Sequence, residues 1–186
     1  MPRRLLITVI GKSAKDPADP PSAAALRAAE AVGREIAKRD AVLVCGGLSG
    51  VMEAACRGAS EAGGITVGIL PGEDKESANP YVDIPISTGM SGYRDLLNVL
   101  AGDAVIMLSG GIGTFQELTQ AYELRPTVVL LGTGDWADRL PSVALEGHYL
   151  DARRSGYLHF AETPAAAVDL ALRLITEGGP RRRVIG

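Results

Sequence analysis

The sequence predicts a three-layer α/β protein with a doubly wound, mostly parallel β-sheet. Short apolar runs alternate with helix-like segments along the whole chain, which is the pattern of a sheet covered by helices on both faces. The composition is 46% hydrophobic but only 4% aromatic, with 23 glycines, and this balance favours a core of Val, Ile, Leu and Ala with short loops. The 186 residues contain no apparent linker, repeat or low-complexity segment, so we expect a single domain over residues 1–186.

The first two strands and helices are predicted from apolar runs and helix-start signals. Residues 5–10 and 41–45 have the length and the β-branched content of buried strands. Ser22 is a typical N-cap for the Ala-rich helix predicted over residues 23–38. A second helix is predicted over residues 51–62, after a glycine-rich turn. The two strand–helix units therefore begin the expected parallel sheet.

The middle of the chain continues the same alternation. Residues 65–70 predict a third strand and residues 81–86 a fourth, which Pro85 should make short or irregular at its end. A helix ending near residue 101 follows a polar, glycine-containing loop. The apolar run 104–108 is then predicted as a fifth buried strand.

The last third of the chain supplies the remaining elements. A helix is predicted over residues 115–124, a sixth strand over 127–131 and a helix over about 140–154 that Gly147 interrupts. Residues 157–160 predict a last short strand. Thr163 as N-cap with Pro164 at the first position predicts a final helix to about residue 177.

Charge and cysteine content limit the classes of function. The net charge of −3 gives no general attraction to nucleic acid or to anionic lipid, so we expect neither as a partner. Cys45 and Cys56 have no metal-ligand spacing and no other metal-ligand cluster is visible, which favours a reduced, cytoplasmic setting without a metal site. No signal peptide or spanning segment is apparent. The basic segment 180–186 is expected to be a flexible tail rather than a nucleic-acid arm.

The strongest functional signal is the glycine-rich stretch 109–117, which lies between a predicted strand and a predicted helix. Glycines let a backbone approach a phosphate closely, and a helix N-terminus offers unpaired N–H groups and a favourable dipole. The stretch therefore predicts a phosphate site. The competing interpretation is structural, because Thr114 and Glu117 have the spacing of a capping box.

A second glycine pair repeats the spacing of the first. Gly46 and Gly47 precede Glu53 as Gly110 and Gly111 precede Glu117, with a small residue before each pair. Two similar strand–turn–helix units favour two loops that face one cleft. Glu53 can equally be an ordinary acid that interacts with a helix dipole.

Two further sites of ligand contact are predicted near the cleft. Gly11, Lys12 and Ser13 resemble the end of a Walker A loop, but the first glycine of that motif is absent, which argues against a P-loop NTPase. The three residues should still face a ligand, since loops after parallel strands meet at one sheet edge. Arg94 lies in the first turn of a predicted helix, where a cation is unfavourable. Either an incoming phosphate or carboxylate or the neighbouring Asp95 would explain it.

With these motifs in place, the chain resembles the LONELY GUY-type superfamily of Rossmann-like nucleotide-binding proteins, which includes molybdenum cofactor carrier proteins. The resemblance rests on Gly46-Gly47, on Met90-x-x-x-Arg94 and on Gly110-Gly111-x-Gly113-Thr114-x-x-Glu117, and it runs from about residue 5 to residue 131. It implies a Rossmann-like fold and a homodimer or higher homo-oligomer.

The phosphoribohydrolase branch of this superfamily cleaves a nucleoside 5′-monophosphate to free base and ribose 5′-phosphate. Its catalytic pair would fall on Arg94 and Glu117, and its phosphate loop on Gly110, Gly111, Gly113 and Thr114. In that branch a proline precedes the glycine pair and a lysine follows the arginine, whereas this chain has Ser109 and Asp95.

The carrier branch is nearer to the segment containing Met90 and Arg94. Two functions therefore stay open: hydrolysis of a nucleoside monophosphate, and non-catalytic carriage of a phosphorylated ligand such as molybdenum cofactor. A structural or regulatory protein with a vestigial site is a third alternative. We expect no required cofactor in any of these cases.

Overall fold

A computed structural model describes residues 3–178 and has a seven-stranded sheet in which every pairing is parallel. The strands are β1 (Leu6–Gly11), β2 (Val42–Cys45), β3 (Ile65–Leu70), β4 (Ile84–Ser87), β5 (Ala104–Leu108), β6 (Thr127–Leu130) and β7 (Leu158–Ala161). Their order across the sheet is β4-β3-β2-β1-β5-β6-β7. The predicted tail over residues 180–186 lies outside the described residues.

Helices cover both faces of the sheet. They are α1 (Ala23–Lys38), α2 (Val51–Glu61), α3 (Asp95–Ala101), α4 (Ile112–Leu124), α5 (Asp135–Val143) and α6 (Pro164–Glu177). One apolar cluster joins the sheet to α1, α2 and α6, and a second joins it to α3, α4 and α5. The predicted three-layer, doubly wound α/β fold is therefore confirmed.

Local signals explain where two of the helices begin. The Ser22 side chain accepts a hydrogen bond from the backbone N–H of Ala25 at 3.1 Å. Thr163 caps α6 in the same way through the N–H of Ala166, with Pro164 at the first helical position. Both caps confirm the predicted helix starts.

The helix predicted over 140–154 is wrong. The Asp138 carboxylate accepts hydrogen bonds from the backbone N–H groups of Gly132 and Gly134 at 2.7 and 2.8 Å, so the helix begins earlier, at Asp135. It ends at Val143, and residue 146 has a φ of 52°, which interrupts any continuation. Turns and an isolated bridge follow instead.

The start of β4 also differs from the prediction of a strand from residue 81. The Asp83 carboxylate accepts the backbone N–H of Thr66 at 2.8 Å, a donor that a neighbouring strand would otherwise use. Pairing with β3 therefore begins only at Ile84, opposite Val67. A side chain, rather than Pro85, delays this strand.

The strand order creates a crevice that positions the site. The chain places β2, β3 and β4 on one side of β1 and returns to place β5 on the other side. The loops after β1 and β5 consequently diverge at their carboxyl ends, which is where open α/β sheets bind ligands. Among residues 3–178, none of the helices is both long and apolar enough to cross a membrane.

Candidate functional site

A cavity of about 590 Å³ lies at the carboxyl ends of β1 and β5. The sequence-predicted residues that line it are Gly11, Lys12, Ser13, Arg94, Gly111, Gly113, Thr114 and Glu117. The other predicted residues, Gly46, Gly47, Met90 and Gly110, do not belong to its lining. The structure thus brings the two predicted catalytic side chains and most of the predicted phosphate loop to one cavity.

The N-terminus of α4 opens into this cavity without a side-chain cap. The helix begins at Ile112, and its N-cap is Gly111, which can supply no side-chain bond. Thr114 and Glu117 therefore lie inside the helix, and the capping-box interpretation is wrong. The first-turn N–H groups have no intrahelical partners, so they can bind an anion.

The glycines of this loop serve two different purposes. Gly110 has a φ of 115°, and a Cβ there would lie 2.8 Å from Thr114 Cγ2, so the backbone itself requires glycine. Gly111 and Gly113 have no such constraint, because a Cβ at either position meets nothing within 4 Å. Their missing side chains leave open the space in front of the helix N-terminus.

Lys12 is a buried cation that lines the cavity. Its side chain is 9% exposed, and its Nζ lies 2.5 Å from Asp19 Oδ1 and 3.3 Å from Asp135 Oδ2. The hydrogen bond that Lys12 donates to Asp19 is the main reason that the pKa of Lys12 is raised, with Asp135 adding to the rise and burial opposing it. Lys12 is therefore charged at neutral pH and shared between two carboxylates.

Ser109 connects this cation to the glycine loop. Its hydroxyl donates to Asp135 Oδ2 at 2.6 Å, and its backbone N–H donates to Thr133 Oγ1 at 2.8 Å. These bonds hold Ser109 at a φ of 54°. The loops after β1, β5 and β6 are thereby joined through one polar network.

Arg94 is buried between two carboxylates. Its Nη1 lies 2.6 Å from Asp95 Oδ1 and 3.7 Å from Glu117 Oε1. A Cβ at residue 46 would lie 2.5 Å from Arg94 Nη2, so Gly46 makes room for the guanidinium. The local ion pair with Asp95, one of the two predicted explanations for Arg94, is present.

The second glycine turn contributes to the site indirectly. Gly46 contacts Arg94, and Gly47 has a φ of 70° with its Cα packed on β3. Leu48 and Met52 of the same strand–turn–helix unit reach the cavity, whereas Glu53 lies in the first turn of α2 and does not line it. The two units face one cleft as predicted, but their acids are not equivalent.

Glu117 is a buried carboxyl that titrates near neutral pH. Its Oε1 accepts a hydrogen bond from Asn98 Nδ2 at 3.0 Å. Burial raises the pKa of Glu117 to about 7, and the neighbouring Asp95 adds to the rise, while Asn98 and Arg94 oppose it. The group can therefore both give and accept a proton near pH 7.

Sequence reasoning missed three residues that organise this site. Asn98 positions Glu117 from α3, and Asp19 and Asp135 hold Lys12. Asn98 lies one turn after Arg94, a spacing that places both on one helix side and is visible in the sequence. The loop positions of Asp19 and Asp135 give no comparable signal.

A family model agrees with this fold and site. The model described as the SLOG cluster4 family matches residues 4–168, a range that holds every cavity residue. The chain belongs to the SLOG cluster4 family.

Several known proteins are similar to this SLOG cluster4 chain, and two of those described below are named for the ligand that they bind or carry. An Archaeoglobus fulgidus protein is 42% identical over 113 residues, which cover 57% of this chain and 74% of that relative. The molybdenum cofactor binding protein of Rippkaea orientalis is 30% identical with a TM-score of 0.79, covering 93% of this chain and 98% of that one. The molybdenum cofactor carrier protein of Chlamydomonas reinhardtii is 33% identical with a TM-score of 0.72, covering 94% and 99%. The predicted resemblance to this superfamily is confirmed.

Proposed function

We propose that this SLOG cluster4 protein binds a phosphorylated small molecule and carries molybdenum cofactor. The observation that carries the proposal is the uncapped N-terminus of α4, which opens into the cavity. Gly111 and Gly113 leave space in front of its N–H groups. Unpaired N–H groups at a helix N-terminus are a typical phosphate site.

The backbone at Ser109 favours carriage over hydrolysis. The hydrolase branch has proline at this position, and a proline ring fixes φ near −65°. The φ of 54° at Ser109 is closed to proline, so the loop differs in conformation from one built around that residue. Asp95 differs as well, because it places a negative charge where the hydrolase motif has a lysine.

The similar proteins support the same conclusion. Two of them are described as binding or carrying molybdenum cofactor, and each alignment covers more than nine-tenths of both chains. Molybdenum cofactor bears a phosphate, which suits the predicted phosphate loop. The ligand would be cargo that the cavity shields from water.

Carriage is tested by incubating the protein anaerobically with molybdenum cofactor and measuring protein-bound molybdenum after gel filtration. We expect saturable retention by the wild type and none when molybdate replaces the cofactor. Gly111→Val should weaken binding roughly tenfold, equivalent to about 1.4 kcal/mol, because its side chain enters the phosphate space. Gly72→Val is the matched control, since a Cβ there also meets no close neighbour but lies outside the cavity lining. Retention no greater than with molybdate would overturn the proposal.

One observation favours hydrolysis of a nucleoside 5′-monophosphate as a second candidate. Glu117, with a pKa of about 7, lies 3.7 Å from Arg94 and can act as an acid or base in glycosidic cleavage. Release of free base from a panel of nucleoside monophosphates is the direct assay. Release by the wild type and its loss in Glu117→Ala would establish the hydrolase. Binding without release would leave carriage as the function.

A further inference from the structure

Two carboxylates line the same cavity as the α4 N-terminus. Asp95 and Glu117 both belong to the lining, and Arg94 lies between them. The rise of an α-helix places Glu117 about 7.5 Å along the axis from Ile112. A ligand whose phosphate lies at the helix N-terminus can therefore reach these carboxylates with its ring system inside the same cavity.

Asp95 has hydrogen-bonding capacity that the protein does not use. Its Oδ1 accepts a hydrogen bond from Arg94 Nη1 at 2.6 Å. Residues 3–178 make no other hydrogen bond to this carboxylate. An ionised carboxylate offers about four acceptor positions. The side chain is 18% exposed and lines the cavity, and the ion pair with Arg94 holds it in place while its other acceptor positions are left for a ligand.

An acceptor of this kind restricts the chemistry of the ring that it faces. A second phosphate would be repelled by Asp95, and a ring edge with lone pairs would face a negative charge. A pair of adjacent N–H donors fits instead, because one can donate to Oδ2 and the other to the second acceptor position of Oδ1, which Arg94 leaves free. The edge of a 2-amino-4-oxopyrimidine ring has this pair: an exocyclic amino group next to a ring N–H.

We propose that Asp95 is the specificity-determining residue of the site and that it selects a phosphorylated ligand with a 2-amino-4-oxopyrimidine edge, as found in pterins and guanine. This inference rests on the proposed function, because it requires the phosphate to lie at the α4 N-terminus. Adenine is disfavoured, since its amino group adjoins a ring acceptor. Hypoxanthine keeps the ring N–H but lacks the amino group.

Calorimetric titration of the full chain with GMP, IMP and AMP tests the selection. GMP and IMP differ only in the amino group. A hydrogen bond to a charged group predicts that GMP binds the wild type at least tenfold more tightly than IMP. Asp95→Asn should reduce this ratio to below about threefold, because an amide presents one acceptor and one donor.

Asp16→Asn is the matched control, since it removes a carboxylate at the rim of the same cavity without changing the proposed contact. It should leave the ratio between GMP and IMP unchanged. Equal affinity of the wild type for GMP and IMP would overturn the inference, as would a full preference for GMP in folded Asp95→Asn. The first result needs no variant, so misfolding cannot obscure it.

Two more titrations separate the inference from the proposed function. They also distinguish a pterin from a guanine nucleotide as the ligand. Guanosine should bind far more weakly than GMP if the phosphate site is correct, whatever the ring preference. Equal binding of guanosine and GMP would overturn the phosphate site and with it the inference. Neopterin monophosphate that outcompetes GMP would identify the source of the edge as a pterin, and the reverse order would identify it as a guanine nucleotide. Binding of none of these ligands would overturn the inference, whereas the proposed function would still be decided by retention of molybdenum cofactor.

Discussion

At the residue scale, Arg94 lies between two acids, Asp95 and Glu117, that differ in how deeply they are buried. It bonds Asp95 directly and Glu117 at longer range, and Asn98 fixes the second acid from one side. Because Glu117 is more deeply enclosed, burial raises its pKa to about 7. Burial also raises the pKa of Asp95, and Arg94 opposes that rise. Both acids therefore favour the protonated form more than they would in water.

Stability should fall as pH rises through neutrality because of Glu117. Its pKa is about 7 in the folded protein against 4.5 ordinarily, so the folded state binds more protons between these values and loses this advantage above them. From pH 5 to pH 8 the free energy of unfolding should decrease by about 2 kcal/mol from this group.

The variant Glu117→Gln should be more stable than the wild type at pH 8 and similar to it at pH 5, as measured by urea unfolding at both pH values. A glutamine oxygen can still accept from Asn98 Nδ2, so the hydrogen bond is preserved. Asp95, whose pKa is also raised by burial, contributes a slope of the same sign. A wild-type stability that rises from pH 5 to pH 8 relative to this variant would contradict the assignment.

Gly113→Ala should separate stability from binding. Gly113 lies in the first turn of α4 with no neighbour near an added Cβ, and alanine is favoured over glycine in helices by about 0.5–1 kcal/mol. The variant should therefore unfold at a higher temperature while it binds GMP or molybdenum cofactor less tightly. Unchanged ligand affinity in calorimetry would show that the space before α4 is not the phosphate site.

The predictability of individual residues depended on whether their partners were local. Gly110, Gly111, Gly113 and Glu117 were recognisable because a strand, a glycine turn and a helix follow in order. Asp135 meets Lys12 across more than a hundred residues, and no local pattern encodes such a pair. Thr114 and Glu117 have the spacing of a capping box, but the helix begins about one turn earlier, at Ile112, with Gly111 as its N-cap.

The loop between β5 and α4 is the element that sets the shape of the site. Ser109 has a φ of 54° and Gly110 a φ of 115°, so two successive residues adopt left-handed conformations. Ser109 remains there because Thr133 and Asp135 bind its N–H and hydroxyl. The loop is thus shaped by the neighbouring strand as well as by its own glycines.

Ser109→Pro should destabilise the protein by roughly 2–3 kcal/mol or more, because proline cannot reach this φ and lacks the N–H that Thr133 accepts. Ser109→Gly is the control, since it permits the same φ and keeps the N–H. It loses the bond to Asp135 and should cost only about 1 kcal/mol. Denaturant unfolding of both variants measures the difference. Equal stability of the two would refute a backbone requirement at this position.

Elements were predicted well where periodicity and caps agreed. Ser22 and Thr163 mark α1 and α6 correctly, because their side chains bond the first turn of the helix that follows. The boundaries of β4 and α5 were predicted wrongly because a carboxylate accepts hydrogen bonds from backbone N–H groups there. Asp83 delays the start of β4, and Asp138 moves the start of α5 toward the N-terminus. Such bonds depend on the tertiary position of the backbone, which hydropathy does not report.

At the scale of the whole molecule, the order of the strands brings the motifs together. The alternation of strands and helices predicted a parallel sheet, and the structure confirms it. The position of β5 beside β1 is what brings Lys12 and the α4 N-terminus to one cavity. A sequence pattern can indicate that loops share one sheet edge, but the neighbours of each strand come from three-dimensional packing.

An apolar surface on α3 predicts assembly of several copies of the chain. Leu96, Leu97 and Leu100 are 39%, 36% and 42% exposed, and Tyr93 before them is 85% exposed. Contiguous exposed apolar side chains mark interaction surfaces. The same helix carries Asp95 and Asn98 on its inner side, so a partner packed on its outer side would steady the cavity wall.

We therefore expect a homodimer or higher oligomer that uses this α3 surface. The double variant Leu97→Glu/Leu100→Glu should shift the species toward monomer in light scattering coupled to gel filtration, because burying two carboxylates opposes association. It should also weaken GMP binding, since Asp95 loses support. Val143→Glu is the control, as this residue of α5 is even more exposed, at 59%, but lies on another helix. An unchanged mass for the double variant, or a monomeric wild type, would exclude this surface as the interface.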